Sequence, residues 1–330
     1  AKNKVLDVVA SGFDASFLGV QIEKGEGRYE EMPIPKCLKT RNFVKIQDGC
    51  NRFCSYCIIP YLRGRSRSRS LENAAEEILQ SDALETVITG IDVSAYKDEQ
   101  GNDLADLMDA IKDADTRIRL GSMEVSLITE RFLDALKGLK HFAPQFHLSL
   151  QSGSNAVLKS MNRHYTREEY LEKCEMIYKA FPNASITTDI IVGFPQETQE
   201  EFEETLQFAK DIGFSKIHVF KYSRRKGTVA DKMSGQIPEQ IKTERSEQLI
   251  QTEETLGKVY RQQMIGTGQR VLFEESAVVD GAVCQVGYNE RYVRIAVKTQ
   301  EDLSNQIRTV LVTDHAQKEE TLFGEVWREE

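Results

Sequence analysis

From residue 43 onward, short apolar runs alternate with longer stretches in which apolar residues recur every three or four positions. The runs are FVKIQ at 43–47, TVITG at 86–90, RIRLGS at 117–122, FHLSLQ at 146–151, SITTDIIVGF at 185–194 and KIHVFKYS at 216–223. Each has the length and β-branched content of a buried strand and is bounded by polar or glycine-containing turns. The helical patterns between them cover 71–82, 103–114, 129–138, 166–181 and 198–212. Thr166 and Thr198 stand before the acidic first turns REE and QEE, which makes them N-caps. Six strands alternating with helices predict an α/β fold with a parallel sheet, open and doubly wound or curled into a partial (β/α)6 barrel. In either closure, ligands gather at the carboxyl ends of the strands.

Pro238 opens a helical stretch to about residue 263, rich in Glu, Gln and Lys. Beyond it QRVLFEES, GAVCQVGYNERYVRIAV and NQIRTVLVTD alternate apolar and polar positions, with breaks at Gly and Asn. This pattern predicts a small antiparallel β-barrel of about 65 residues, the size of an oligonucleotide-binding module.

Composition narrows the class. At 330 residues, with 40% hydrophobic and 29% charged residues, the chain has material for more than one packed domain. No run approaches the ~18 apolar residues of a membrane span. The opening AKNKVLDVVASGFDASFLGV has charged breaks and no small-residue cleavage pattern after an apolar block. The expectation is a cytoplasmic protein with no membrane partner. A net charge of -9 argues against indiscriminate nucleic-acid binding and leaves room for a local basic patch.

Candidate chemistry is concentrated in DGCNRFCSYCIIPYLRGRSRSRS, residues 48–70. Cys50, Cys54 and Cys57 follow the first strand in a C-x3-C-x2-C spacing, with no fourth Cys or His nearby. A structural zinc site wants four closed ligands, commonly in two pairs. Three thiolates on one loop suit a 4Fe-4S cluster with one iron left open. The plain alternatives are zinc or three incidental thiols.

That spacing, at the end of a first strand and ahead of a six-unit β/α domain, resembles the radical S-adenosylmethionine (SAM) superfamily. The resemblance implies that the open iron chelates the amino and carboxyl groups of SAM, and that one electron cleaves SAM to a hydrogen-abstracting radical. It implies that Tyr56 covers the adenine edge, where plain packing is the alternative. TGIDVSAY, with Gly90 at the end of the second strand, corresponds to the segment that holds the methionine amino group, chiefly through backbone. Gln151 and Ser152 end the fourth strand, and Asp189 lies in the fifth. Each alone reads equally as a capping or solvated residue, but their recurrence at strand ends points to a shared pocket. Glu124 is a further polar candidate.

CNRFCSYCIIPYLRGRSRSRS, TGIDVSAY, HLSLQSGSNAVLKSMNRHYT, DIIVGFPQET and HVFKYSRRKGT together resemble the methylthiotransferases, most of all those acting on N6-threonylcarbamoyladenosine in tRNA. The C-terminal barrel resembles their RNA-binding TRAM domain. The resemblance implies addition of a methylthio group at C2 of the modified adenosine 3′ of the anticodon, with tRNA as partner and a reductant such as flavodoxin or ferredoxin. No ordinary side-chain base removes a hydrogen from that ring carbon, so radical chemistry suits the substrate. There is one departure. The family carries an N-terminal domain whose three further cysteines hold a second 4Fe-4S cluster, and Cys37, Cys174 and Cys284 are too scattered to replace them. On this reading the chain is a piece of a longer protein. Residues 1–36 are the remnant of that domain and a linker, 37–256 the radical SAM domain, and 257–330 the TRAM-like barrel. The alternatives are a methylthiotransferase acting on isopentenyladenosine in tRNA or on a ribosomal protein, and a non-catalytic zinc RNA-binding protein.

Arg63, Arg65, Arg67 and Arg69 occupy alternate positions after the cysteines and are candidates to track a phosphate backbone. The alternative is a solvated loop with ion pairs to a helix. Arg224, Arg225 and Lys226 form a second basic loop, and Tyr288, Arg291, Tyr292 and Arg294 offer stacking and phosphate contacts in the barrel. Residues 257–330 nevertheless hold nine Lys and Arg against twelve Asp and Glu, so an RNA role there rests mainly on resemblance.

Overall fold

Six strands of the first body run parallel and form a curled half-barrel: β1 (Arg41–Asp48), β3 (Glu85–Gly90), β4 (Arg117–Leu120), β5 (Gln145–His147), β6 (Ser185–Val192) and β7 (Lys216–Lys221). The computed structural model describes Tyr29, residues 40–317 and residues 320–327. Apart from Tyr29, the segment expected to be a domain remnant lies outside the described residues, as does Cys37. Two short sheets share the curl, β2-β1-β3-β4 and β5-β6-β7, where β2 (Arg67–Ser68) is an antiparallel edge. Single parallel bridges, Ile118 to Phe142 and Met123 to Leu148, join β4 to β5 across the seam. The fourth strand is therefore shorter than its apolar pattern predicts. Its continuation bends until Gln151, at φ 71°, touches Ile190 through one isolated bridge.

The crossover helices sit where the 3.6-residue periodicity places them: α2 (Leu71–Leu79), α3 (Leu104–Ala110), α4 (Glu130–Gly138), α6 (Arg167–Ala180) and α7 (Gln199–Ile212). Thr166 and Thr198 are reciprocal capping boxes with Glu169 and Glu201, so each helix start meets its orphan N–H groups locally. The short helices α1 (Ile59–Arg63) and α5 (Asn155–Ser160) have no counterpart in the predicted pattern. Val44, Ile46, Ile88, Ile118, Phe146 and Ile186 fill the core between sheet and helices.

The long helix α8 (Glu239–Gln262) follows Pro238 and packs along the first body. Its Arg245 meets the buried Glu197 at 2.6 Å, and Glu197 also accepts from the Gly193 N–H, which fastens the β6 exit loop. Beyond α8, β8 (Gly268–Val279), β9 (Ala282–Tyr288), β10 (Arg294–Val297), β11 (Gln306–His315) and β12 (Thr321–Val326) close a barrel around Val271, Phe273, Ile295 and Val310. Four of its five pairings are antiparallel; β10 and β12 pair in parallel and close it. No helix among the described residues is long and apolar enough to cross a membrane.

The barrel docks against the amino ends of β1, β3 and β4. Glu85, fully buried, receives Arg41 at 2.6 Å, Arg119 at 2.9 Å and Arg117 at 3.5 Å. Arg117 and Arg119 also donate to the backbone carbonyls of Arg270, Asn289 and Glu290 across the interface. Three guanidiniums on one carboxylate survive burial because Arg117 and Arg119 also reach carbonyls and Arg41 also pairs with Glu274.

Candidate metal centre and cofactor cleft

The cysteine loop leaves β1 through Gly49, at φ 73°, where an added Cβ would lie 2.0 Å from the Arg65 carbonyl oxygen. Only glycine fits this turn. The Gln47 side chain, fully buried, donates to the carbonyls of Asp48 and Gly49 and accepts from the Asp92 N–H at 2.8 Å, tying the loop to the end of β3. Burial works to raise the Asp48 carboxyl, but the Lys45 hydrogen bond, the Gly49 N–H and Arg67 overcome it and hold it at about 2. The far side of the loop rests on the end of α5 and the residues after it. Asn162 donates to the carbonyls of Arg52 and Phe53, and Ser55 donates its hydroxyl to the Ser160 carbonyl and its N–H to that of Met161.

All three thiols are free and half-buried. Neighbouring thiols add to burial in pushing the Cys50 and Cys57 thiols up, yet the three sulfurs do not gather within 4.8 Å as a set. A single zinc ion, with bonds of about 2.3 Å, needs its sulfurs closer than that. Ligands bound to different irons of one cluster stand farther apart. Burial pushes the Cys50 thiol up to about 11 and also raises Cys57, so holding these two as thiolates calls for bound cationic metal. Donors to sulfur are in place: the Arg52 N–H is 3.5 Å from Cys50 Sγ, and Arg163 Nη1 is 3.4 Å from Cys54 Sγ. The residues present fit a 4Fe-4S cluster.

A cleft of about 540 Å³ adjoins the triad and is lined by Tyr56, Cys57, Gln151, Asp189, Ile191, Phe220, Tyr222 and Arg225. Tyr56, Gln151 and Asp189, expected to share a pocket, meet here. Tyr56 also packs against the small apolar cluster of Val157, Met161, Phe194 and Tyr222, so its ring is both wall and packing. The Tyr222 hydroxyl is buried without a hydrogen-bond partner among the described residues. Two other expected contacts are not on this cleft. Ser152 is fully buried, bonded to Thr205 and to the Ser154 N–H, and anchors the strand exit to α7. Gly90 lies under the Gln47 carbonyl, 3.0 Å from where its Cβ would be. Glu124 is buried and paired with Arg52, whose Nε also meets Asp92 at 3.0 Å, so it positions the cysteine loop.

The radical SAM superfamily description matches residues 44–209. The threonylcarbamoyladenosine tRNA methylthiotransferase MtaB of Chlamydia pneumoniae is 36% identical over 98% of this chain and 74% of its own length. This chain belongs to the radical SAM methylthiotransferases. MtaB of Bacillus subtilis is 38% identical over 86% of the chain and 65% of the relative, and the tRNA-2-methylthio-N(6)-dimethylallyladenosine synthase of Clostridium botulinum (strain Loch Maree) is 39% identical over 81% and 61%. The chain thus spans about two thirds of the length of these curated relatives. The solved methyltransferase TsrM of Kitasatospora setae aligns over 58% of this chain and 38% of its own at 14% identity and a TM-score of 0.48. The superfamily description names SAM chemistry, and the cysteine triad supplies the ligands that a 4Fe-4S cluster needs.

In this chain the four-arginine line divides. Arg63 and Arg65 are exposed, with Arg65 lying 4.6 Å over the Phe53 ring. Arg67 turns back to Asp48 at 2.8 Å and to the Arg63 carbonyl, and Arg69 is buried in an ion pair with Glu77 and a bond to Asn73. Arg69 is not available to RNA, because its side chain enters the α2 interface and is held there by Glu77 and Asn73. Arg225 and Lys226 are exposed at the cleft mouth, whereas Arg224 is paired with Asp231 at 3.1 Å. Tyr288 and Tyr292 stack on each other at 4.7 Å with Arg41 over both rings, and Arg119 lies over Tyr292. With Arg291, Arg294, Lys216 and Arg261 they line a half-open cavity of about 530 Å³ between half-barrel and barrel, where Tyr292 stays exposed. Arg294 bonds to Thr321, and Arg291 to Gln269 at 2.5 Å.

The sequence reading passed over His147, His218 and Arg163. All three lie in the motifs that carry the family resemblance, His147 and His218 on β5 and β7 and Arg163 on a loop that returns to the triad.

Proposed function

We propose that this chain installs the methylthio group on N6-threonylcarbamoyladenosine in tRNA, with Cys50, Cys54 and Cys57 holding a 4Fe-4S cluster and SAM lying in the adjoining cleft. The observation that carries the reading is that the triad and the lined cleft share one rim of the half-barrel, where a three-thiol, one-open-iron site needs its second ligand. A cluster of this kind, with SAM, supplies the one-electron chemistry that a ring C–H bond requires. The chain's own groups do the rest. Arg52 and Arg163 donate to the sulfurs, Gln47 fixes the loop, and Tyr56 and Tyr222 wall the cleft against water.

The choice between the two tRNA substrates named for the relatives rests on charge. Arg41, Arg119, Lys216, Arg261, Arg291 and Arg294 line the cavity between half-barrel and barrel, with Glu320 the one acid on its wall. Arg41, Arg119 and Lys216 are engaged by Glu85, Glu253 and Glu320, whereas Arg291 bonds to the neutral Gln269 and can meet an anion. A threonylcarbamoyl substituent ends in a carboxylate and suits such a chamber, whereas a dimethylallyl group is apolar. The exposed Arg63, Arg65, Arg225 and Lys226 offer the tRNA backbone a path to the cleft mouth, and the barrel acts as the TRAM-like RNA-binding domain. A tRNA substrate places the protein in the cytoplasm, with flavodoxin or ferredoxin as the class of electron donor. Cys174 sits in α6 and Cys284 in β9, both buried, so no second cluster is built from the described residues. The sulfur-donating cluster belongs outside them.

The test is mass spectrometry of nucleosides from tRNA of cells with and without the gene. The 2-methylthio form of threonylcarbamoyladenosine should disappear while that of the dimethylallyl nucleoside persists. Loss of the dimethylallyl product instead would transfer the assignment to that substrate.

A further inference from the structure

His147, Asp189 and His218 come from three neighbouring strands and face the same lumen. Asp189 is the Cα partner of His218, and His147 is the partner of Thr187, two residues earlier on the strand of Asp189. One ligand atom from each lies within 4.8 Å of the others, and among the described residues no other group of His, Cys, Asp and Glu does so. We propose that these three residues form a binding site for a first-row divalent cation of the zinc class, separate from the cysteine triad and not dependent on the tRNA reading.

Four features support the site. His147 Nε2 stands 3.2 Å from Asp189 Oδ2. That separation fits an edge of a coordination shell with bonds of about 2.0–2.1 Å, so both atoms can reach one metal without moving strands. The opposite nitrogen of His147 is anchored: Nδ1 is 3.0 Å from Thr187 Oγ1, which also accepts from Gln145 Nε2. An oriented imidazole with a fixed outer partner is the usual arrangement of a metal-bound histidine. His218 has its ring 5.6 Å from that of His147, has no hydrogen-bond partner among the described residues, and is exposed enough to turn inward. The nearest cation, Lys216, is engaged by Glu253 and Glu320 and does not oppose a bound metal.

Two imidazoles and one carboxylate suit zinc, cobalt, nickel or ferrous iron and leave coordination positions unfilled by protein. Asp189 borders the SAM-side cleft, and both histidines border the cationic chamber. The site therefore sits in the partition between the two spaces, with its open positions available to an oxygen ligand such as water or a carboxylate. Without metal, a proton between Nε2 and Oδ2 fills the same gap, and the Thr187 hydroxyl rotates to match.

The experiment uses cluster-loaded protein, so that the triad is occupied. Chelator-washed protein is incubated with zinc sulfate and desalted, and zinc, iron and sulfide are measured together. About one zinc per chain is expected beside an unchanged iron content of about four. His218→Ala, an exposed position that leaves folding intact, and Asp189→Asn should each retain less than about one fifth of that zinc, with iron and melting temperature unchanged. Wild-type protein that keeps no zinc, variants that keep as much as wild type, or zinc gained with a matching loss of iron would each overturn the site.

Discussion

Arg163 Nη1 lies 3.4 Å from Cys54 Sγ, while the same guanidinium donates to the Ser149 carbonyl and covers the Tyr165 ring. One loop residue thereby connects the metal-binding sulfur to the end of β5. A fixed positive charge beside a cluster sulfur favours the reduced, more negative state. Arg163→Met should load about four irons and lower the reduction potential by roughly 60 mV, the one-electron equivalent of about 1.4 kcal/mol. Redox titration followed by electron paramagnetic resonance checks this; an unmoved potential leaves Arg163 as a packing residue only.

Replacing Cys50, Cys54 or Cys57 with Ala should remove the cluster and SAM cleavage together. Cys174→Ala should keep both, because its buried thiol only fills space in α6, at a cost of about 1 kcal/mol in stability. Iron and sulfide content with a 5′-deoxyadenosine assay separates the two groups. A Cys54→Ala chain that retained a SAM-responsive cluster would contradict the assignment.

Gly49 is the tightest point of the loop. In Gly49→Ala the added Cβ meets the Arg65 carbonyl at 2.0 Å in a left-handed backbone conformation. The loop must shift while the half-barrel core stays intact. The expected result is a chain with unchanged far-ultraviolet circular dichroism and less than about half the wild-type iron. Full iron loading would show that the loop tolerates the displacement.

The basic line predicts two different phenotypes. Arg63→Ala with Arg65→Ala should weaken tRNA binding and lower the salt slope by roughly 0.7–0.9 per lost phosphate contact, with stability unaltered. Arg69→Ala should do the reverse, costing about 3 kcal/mol because Glu77 is left buried without its partner. Binding isotherms at several salt concentrations, paired with urea unfolding, distinguish them.

The docking carboxylate gives a pH signature. Burial works to raise Glu85, but the hydrogen bond and charge of Arg119, together with Arg41, overcome it and hold the group at about 2. Its unfolded value is about 4.3, so the stabilisation is fully present above that value and is lost as pH falls toward 2. The difference corresponds to about 3 kcal/mol. Urea unfolding of the cluster-free chain between pH 6 and 3 should show this slope, and Glu85→Gln should flatten it. Equal slopes in both proteins would place the acid sensitivity elsewhere.

The local chemistry of the chain was enough to read its elements. Apolar period, N-caps at Thr166 and Thr198, and the Pro238 helix start are set by neighbours within four residues, and they emerged within a few positions of where they were expected. The cysteine triad was legible for the same reason, since its ligands share one loop. The fourth strand came out shorter because Gln151 adopts a left-handed conformation where the sheet turns, and no local pattern signals a seam between sheets.

The division of the arginines was beyond the sequence. Arg63 to Arg69 alternate evenly, but which of them meets solvent depends on α2 and Glu77 lying against β2, a tertiary neighbour. That Tyr288 and Tyr292 stack on each other and meet Arg41 and Arg119 depends on the docking of the barrel, which no local pattern signals. His147, Asp189 and His218 are separated by 42 and 29 residues along the chain and become neighbours only through the register of β5, β6 and β7. Sequence alone determined the order of elements and the thiol chemistry, because both are written in short-range spacing. Which charges are buried, which face the chamber and which meet across strands was decided by the curl of the sheet and the docking of the barrel, because those contacts form only when distant segments pack.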